Sequence, residues 1–260
     1  MPDIAAHRTN LRGRVTYLGH STTLIEVDGV RLLTDPVLRS TVLHLRRTSP
    51  PPPLPADVDA VLISHGHHDH LDIRTLDGLP REVRVVLPRG LGRLLRGRGF
   101  RDVSEVEEGD ETAVDGVVVR VTHAEHPGPS LPRRSAAAVG YAVLGSARVL
   151  FPGDTDLFPE MAGLVDDLDL ALLPIWGWGA KIGPGHLDPE RAAEALTLLR
   201  PRAVVPIHWG TLRPFTRSSR SSFLHDPAQA FVEAARRVAP EVAVHVLEPG
   251  GSLDLDGAPS

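Results

Sequence analysis

The chain has 260 residues, 42% of them hydrophobic, enough to bury a core as one large domain or two small ones. A formal charge of −5 gives no overall pull toward nucleic acid or an anionic membrane, and the absence of cysteine excludes disulfides and thiolate metal sites. No stretch reaches the roughly 18 apolar residues of a bilayer span, and the first residues lack the apolar run of a signal peptide, so a cytoplasmic protein is expected.

In chain order, "RVTYLG", "TTLIEVD" and "VRLLTD" predict short strands, the last two joined by Asp28 and Gly29, a hairpin signal that makes the start antiparallel. The proline-rich "RSTVLHLRRTSPPPPLPADV" reads as an ordered surface loop, because strand patterning resumes at Ala60. Further strands are expected at "RVVLP", "VVVRVT", "VGYAVL", "RVLFPGD", "LALLPI", "AVVPIH" and "VAVHVL". Two helices stand out, "DPERAAEALTLLR" and "DPAQAFVEAARRV", each with an apolar stripe and an Asp-Pro start that places Asp188 and Asp226 at the N-caps. Alternating strands and helices, without a repeat or a break in composition, predict one α/β domain over residues 1–260 with helices covering the outer faces of its sheets.

The densest chemistry is "SHGHHDHLD", which follows the apolar Val61, Leu62 and Ile63. Its pattern is His65-x-His67-x-Asp69-His70. Residues two apart in an extended turn face the same way, so His65 and His67 can converge on one cation while Asp69 and His70 turn to a second. Burying these groups together without metal would cost several kcal/mol in desolvation and unpaired polar atoms. Asp154 and His208 also follow apolar strands, and so do both His123 and His126, which spacing alone leaves as alternatives. His68 is set aside because its neighbours supply the alternation, and His7, His44, His225 and His245 are expected to be ordinary core or surface histidines.

"SHGHHDHLD", "FPGDTD" and "PIHWGT" resemble the successive metal-binding motifs of the metallo-β-lactamase superfamily. "YLGHSTTLIEVDGVRLLTDPVL" and "GPGHLDPERAAEAL" are similar to its branch containing N-acylphosphatidylethanolamine-hydrolysing phospholipase D and L-ascorbate-6-phosphate lactonase. The resemblance implies a four-layer αββα sandwich with a dinuclear metal site at the sheet edge. It implies that His65, His67 and His126 bind one metal, that Asp69, His70 and His208 bind the other, and that Asp154 bridges them. Ala124, two residues before His126, matches the branch and favours His126 over His123. The phospholipase's extra N-terminal sequence and apolar surface for lipid entry have no clear match in these motifs, so an acyl-lipid substrate is not the expectation.

Two cations about 3.5 to 4 Å apart can generate a hydroxide nucleophile at neutral pH and polarise a carbonyl or phosphoryl oxygen. Nitrogen and oxygen ligands suit zinc and tolerate manganese or iron. Asp69 or Asp154 is expected to orient the attacking water, and His186, ahead of a helix N-terminus, to protonate the leaving group. His20 and Asp35 are expected to fix the orientation of ligands. Arg133, Arg134 and Arg213, with Arg217 and Arg220 beyond, suit a small anionic substrate, and Trp176, Trp178 and Trp209 can wall its pocket. A phosphodiester is the first expectation, and a lactone or carboxylic ester the alternative on the same site. Nucleic-acid processing through Arg89, Arg93, Arg96, Arg98 and Arg101 is a third, but that run lacks interleaved aromatics and reads as a solvated helix face. No stable nucleic-acid partner is expected, and the sequence does not speak to oligomeric state.

Overall fold

A computed structural model describes residues 11–128 and 136–256. Its strands run β1 Leu11–Gly19, β2 Thr22–Val27, β3 Val30–Thr34, β4 Thr41–Val42, β5 Leu45–Arg47 and β6 Ala60–Leu62. After helix α1 (Ile73–Leu76) come β7 (Arg84–Pro88), helix α2 (Gly92–Arg96), β8 (Val103–Val106), β9 (Glu111–Val114), β10 (Val117–His123), β11 (Val139–Leu144), β12 (Arg148–Phe151) and β13 (Leu170–Pro174). Helix α3 (Pro189–Leu199), β14 (Ala203–Ile207), β15 (Leu212–Pro214), helix α4 (Asp226–Val238), β16 (Ala243–Val244) and β17 (Ser252–Asp256) complete the order.

Alternating apolar residues give each large sheet one face for its partner sheet and one for helices. The first sheet has the order β17-β1-β2-β3-β6-β7-β8 and the second β16-β14-β13-β12-β11-β10-β9. Ile25, Leu32 and Leu62 of one sheet share a buried core with Val121, Tyr141, Phe151 and Leu172 of the other. On the outer side of the second sheet, Leu196 of α3 and Phe231 of α4 pack with Ala171, Leu173 and Val204. Outside the first, Leu76 and Leu95 of α1 and α2 pack with Val61, Val85 and Leu87. The result is the expected αββα sandwich.

The sheet directions gather the polar strand ends. β3, β6 and β7 are mutually parallel, as are β12, β13 and β14. β1 and β10 are each two antiparallel steps from β3 and β12, so they point the same way as those strands. His20, Asp35, His65, His126, Asp154, Trp176 and His208 therefore all follow the C-terminal end of a strand. Ligand sites collect at such edges because backbone amides and side chains leave the sheet there unpaired.

Three sequence expectations are corrected. Asp188 caps α3 as expected, accepting from the Arg191 amide at 2.9 Å, but His225 is the N-cap of α4 and Asp226 lies inside its first turn. The proline-rich segment is not simply a loop: β4 and β5 within it pair with each other, and β5 pairs with β15, in a third, three-stranded sheet. "VAVHVL" shrinks to the two residues of β16, beyond which the backbone leaves the β14 ladder. No helix among the described residues is long and apolar enough to cross a membrane.

Candidate metal centre

Three of the residues that open the site hold left-handed backbone conformations: His20 at φ 58°, Asp35 at φ 32° and His208 at φ 62°. Such conformations are costly for non-glycine residues and persist where surrounding contacts over-determine them. Those contacts are present. The His20 amide donates to Thr211 Oγ1 at 2.8 Å, and its carbonyl accepts from the His208 amide at 2.8 Å. The Asp35 amide donates to the Leu62 carbonyl at 3.0 Å, and its own carbonyl accepts from Thr22 Oγ1 at 2.8 Å.

Hydrogen bonds on the outer ring nitrogens define what each histidine can offer. His70 Nδ1 donates to Asp35 Oδ2 at 2.7 Å, His126 Nδ1 to the Gly185 carbonyl at 2.7 Å, and His208 Nδ1 to the Trp176 carbonyl at 2.7 Å. Ser64 Oγ donates to Asp35 Oδ2 at 2.5 Å and so accepts from His65 Nδ1 at 2.9 Å. Each of these four imidazoles turns its Nε2 inward.

The inward atoms converge in two groups. His65, His67 and His126 form the first, with His126 Nε2 and His67 Nδ1 3.1 Å apart. His20, Asp69, His70 and His208 form the second, with His70 Nε2 and His208 Nε2 3.1 Å apart. Asp154 lies between them: its Oδ2 is 3.9 Å from His65 Nε2 and 3.2 Å from His70 Nε2, and its Oδ1 is 3.2 Å from His208 Nε2. His20 does not itself complete the second group outward, because its Nε2 is 3.0 Å from Asp69 Oδ2 and anchors that carboxylate.

These residues fit divalent cations. His65 Nε2 and Asp154 Oδ1 are buried without a hydrogen-bond partner, an expense that a positive ion removes. His70 and His208 face one another through their Nε2 atoms at a distance that a shared proton or a cation reconciles. The donor set is all imidazole and carboxylate.

Electrostatics divide the histidines: burial opposes the charge of His70, but Asp154, Asp69 and Asp35 outweigh it and raise its pKa well above the usual histidine range, so without a cation His70 carries the proton that a metal ion would replace. Burial, and then the charge of His70, holds His65 well below the usual histidine range. Burial holds His67 at about 4 and lowers His126 and His208, so these imidazoles are neutral at physiological pH, the form that metal ligation requires. Burial alone would raise Asp154 and Asp69, but neighbouring histidines, His208 and His70 for Asp154 and His70 and His20 for Asp69, hold both carboxylates well below their usual range.

His186 completes a third group with His126 and Asp154. Its Nε2 is 3.4 Å from Asp154 Oδ2, and the side chain is 23% exposed at the mouth. His123 does not join the cluster: it sits outside between Glu108, at 2.8 Å, and Glu125, at 3.3 Å. Among the expected substrate residues, Trp178 packs edge-on against His44 at 5.2 Å, and the Trp176 indole donates back to Gly179. Arg213 bonds the carbonyls of Pro214 and Arg217 in its own loop. Arg133 and Arg134, like His7, lie outside the described residues. Arg89, Arg96, Arg98 and Arg101 each pair with a carboxylate, which leaves that face a surface of compensated charge.

Sequence reasoning missed Ser64, which links Asp35 to His65, and the carbonyls of Trp176 and Gly185. A serine beside a histidine carries no distinctive signal, and a carbonyl carries none at all.

A sequence profile described as a β-lactamase superfamily domain matches residues 30–209. A UPF0173 metal-dependent hydrolase of Methanopyrus kandleri is 30% identical, over 93% of this chain and 99% of its own length. The N-acyl-phosphatidylethanolamine-hydrolyzing phospholipase D 1 of Caenorhabditis elegans is 29% identical, over 75% of this chain and 63% of its own. Among solved structures, Igni18, a metallo hydrolase from Ignicoccus hospitalis, aligns with a TM-score of 0.69 at 26% identity, covering 95% of this chain and 99% of that one.

Proposed function

The chain belongs to the β-lactamase superfamily and is a metal-dependent hydrolase, and from that premise we propose that it holds two divalent cations and cleaves a small anionic phosphodiester. The observation that carries the reading is the position of Asp154 between two convergent donor sets. His65, His67 and His126 would hold one cation, Asp69, His70 and His208 the other, with Asp154 shared. When bound, such a pair supplies Lewis acidity toward a phosphoryl or carbonyl oxygen and lowers the pKa of water toward about 7.

The chain's own groups do the rest. Asp69, steadied by His20, orients the attacking water and takes its proton. His186 gives a proton from Nε2 to the leaving oxygen; burial opposes its charge, but Asp154 and the Pro184 and Gly183 carbonyls raise its pKa.

Charge around the mouth supports an anionic substrate. Residues 36–56, 170–187 and 209–225 contain no aspartate or glutamate in a chain with 33 of them. These segments adjoin the site through the His208 to Trp176 bond, the His20 to Thr211 bond and the His44–Trp178 contact. They carry Arg46, Lys181, Arg213, Arg217 and Arg220, with no carboxylate partner for these among the described residues. The phospholipase D relative favours a phosphodiester.

The test is turnover of a chromogenic phosphodiester beside a simple lactone, with protein loaded in turn with zinc and manganese. Phosphodiester cleavage that Asp154→Ala lacks, with its fold intact, is the expected result. Lactone opening alone would move the substrate to the acyl class, and full turnover and full metal content in Asp154→Ala would sink the shared-ligand assignment.

A further inference from the structure

Arg47 is a buried cation with no counterion among the described residues. Its side chain is 5% exposed, and its guanidinium meets no carboxylate among the described residues. Instead Nη1 donates to the Val37 carbonyl at 3.0 Å and Nη2 to the Leu18 carbonyl at 2.7 Å, while Nε is buried without a partner. Burying a guanidinium on two neutral acceptors is expensive.

Its two contacts explain where it is placed. Leu18 lies two residues before His20, and Val37 two residues after Asp35. His20 anchors Asp69, and Asp35 orients His70. One planar fork thus ties together the two backbone segments that aim two of the three donors of a single cation site. The packing behind it is close: a Cβ on Gly19, whose φ is +106°, would come within 2.5 Å of Arg47 Nη2. The first donor set leans on Arg47 less. His126 is held by Gly185, and only His65 is reached, through Ser64 and Asp35.

We propose that Arg47 is a positioning residue that holds the His20 and Asp35 segments in register and thereby selectively supports the Asp69–His70–His208 cation site; this rests on the two-cation reading above. The expected consequence of Arg47→Met is a second cation bound about 10- to 100-fold more weakly, the loss typical of removed outer support, with the first retained. Arg47→Lys keeps the charge but offers one ammonium in place of the fork, and should weaken the second cation less.

The experiment is zinc titration of the full-length protein followed by native mass spectrometry and a dissociation constant for each step. Phe231→Leu, a core change in α4, serves as the control for lost stability. Two zinc ions on wild type and on Phe231→Leu, with selective weakening of the second in both Arg47 variants, bears the idea out. Wild-type affinities in Arg47→Met, or equal loss of the second zinc in Phe231→Leu, overturns it. If the wild type itself binds fewer than two, the two-cation reading fails separately. The metal-free protein then decides on Arg47 by NMR: faster solvent exchange of the His70 Nδ1 proton in the variants supports its positioning role, and unchanged exchange overturns it.

Discussion

Asp35 Oδ2 accepts a 2.7 Å hydrogen bond from His70 Nδ1, and both side chains are fully buried. The same carboxylate accepts from the Ser64 amide at 2.7 Å and from its hydroxyl, so one residue fixes the tautomer of His70 directly and that of His65 through Ser64. Asp35→Asn keeps the shape but gives up the charge and turns the bond ambiguous. Metal affinity should fall about 10- to 100-fold, with far-UV circular dichroism unchanged; competition against a chromogenic chelator measures it, and wild-type affinity would refute the orienting role.

Gly153 precedes Asp154 at φ +65°, and a Cβ there would lie 2.5 Å from Ser64 Cβ and 2.9 Å from Ser64 Oγ. Gly153→Ala therefore adds backbone strain and pushes on the Ser64 link. A loss of about 1 to 3 kcal/mol is expected, together with reduced metal content. Urea denaturation of the metal-free variant gives the first and elemental analysis the second.

His186 is read as the proton donor to the leaving oxygen, so its removal should matter in proportion to leaving-group basicity. His186→Ala should lose roughly 100-fold in kcat with an alkyl phosphodiester and change little with a p-nitrophenyl ester, while retaining its metal. Equal losses with both substrates would place His186 in binding rather than proton transfer.

His123, outside the centre, offers a test of pH dependence. Partial burial opposes its charge, but Glu108 and Glu125 outweigh it and raise its pKa above the ordinary value. Its contribution to stability is therefore full below the unfolded value of about 6.5 and is lost as pH rises through the raised folded value. Because the pair is exposed, only a few tenths of a kcal/mol are expected. His123→Gln should flatten that part of the stability profile, and an unchanged profile would show that the ion pairs contribute nothing.

Much of this was legible in the residues. Most strands of the two large sheets and α3 follow from apolar alternation and an Asp-Pro cap, and His65, His67, Asp69 and His70 announce themselves by crowding six consecutive positions. These are local signals, and the physics behind them acts over a few residues. His123 and His126 show where that stops: the first ends β10 and the second lies three residues beyond, and only the turn after β10, with Gly185 waiting 59 residues on, sends one inward and leaves the other between two glutamates.

The sequence by itself determined the donor chemistry, because with no cysteine and so many clustered imidazoles the site had to be nitrogen and oxygen. Only the tertiary structure decided which ring nitrogens point inward. That choice is made by Asp35, Ser64, Trp176 and Gly185 and held from behind by Arg47, through hydrogen bonds between strand ends that the sandwich brings to one edge. Carbonyls and burial leave no mark in a sequence, because every residue has the same backbone and its surroundings come from chain segments far away.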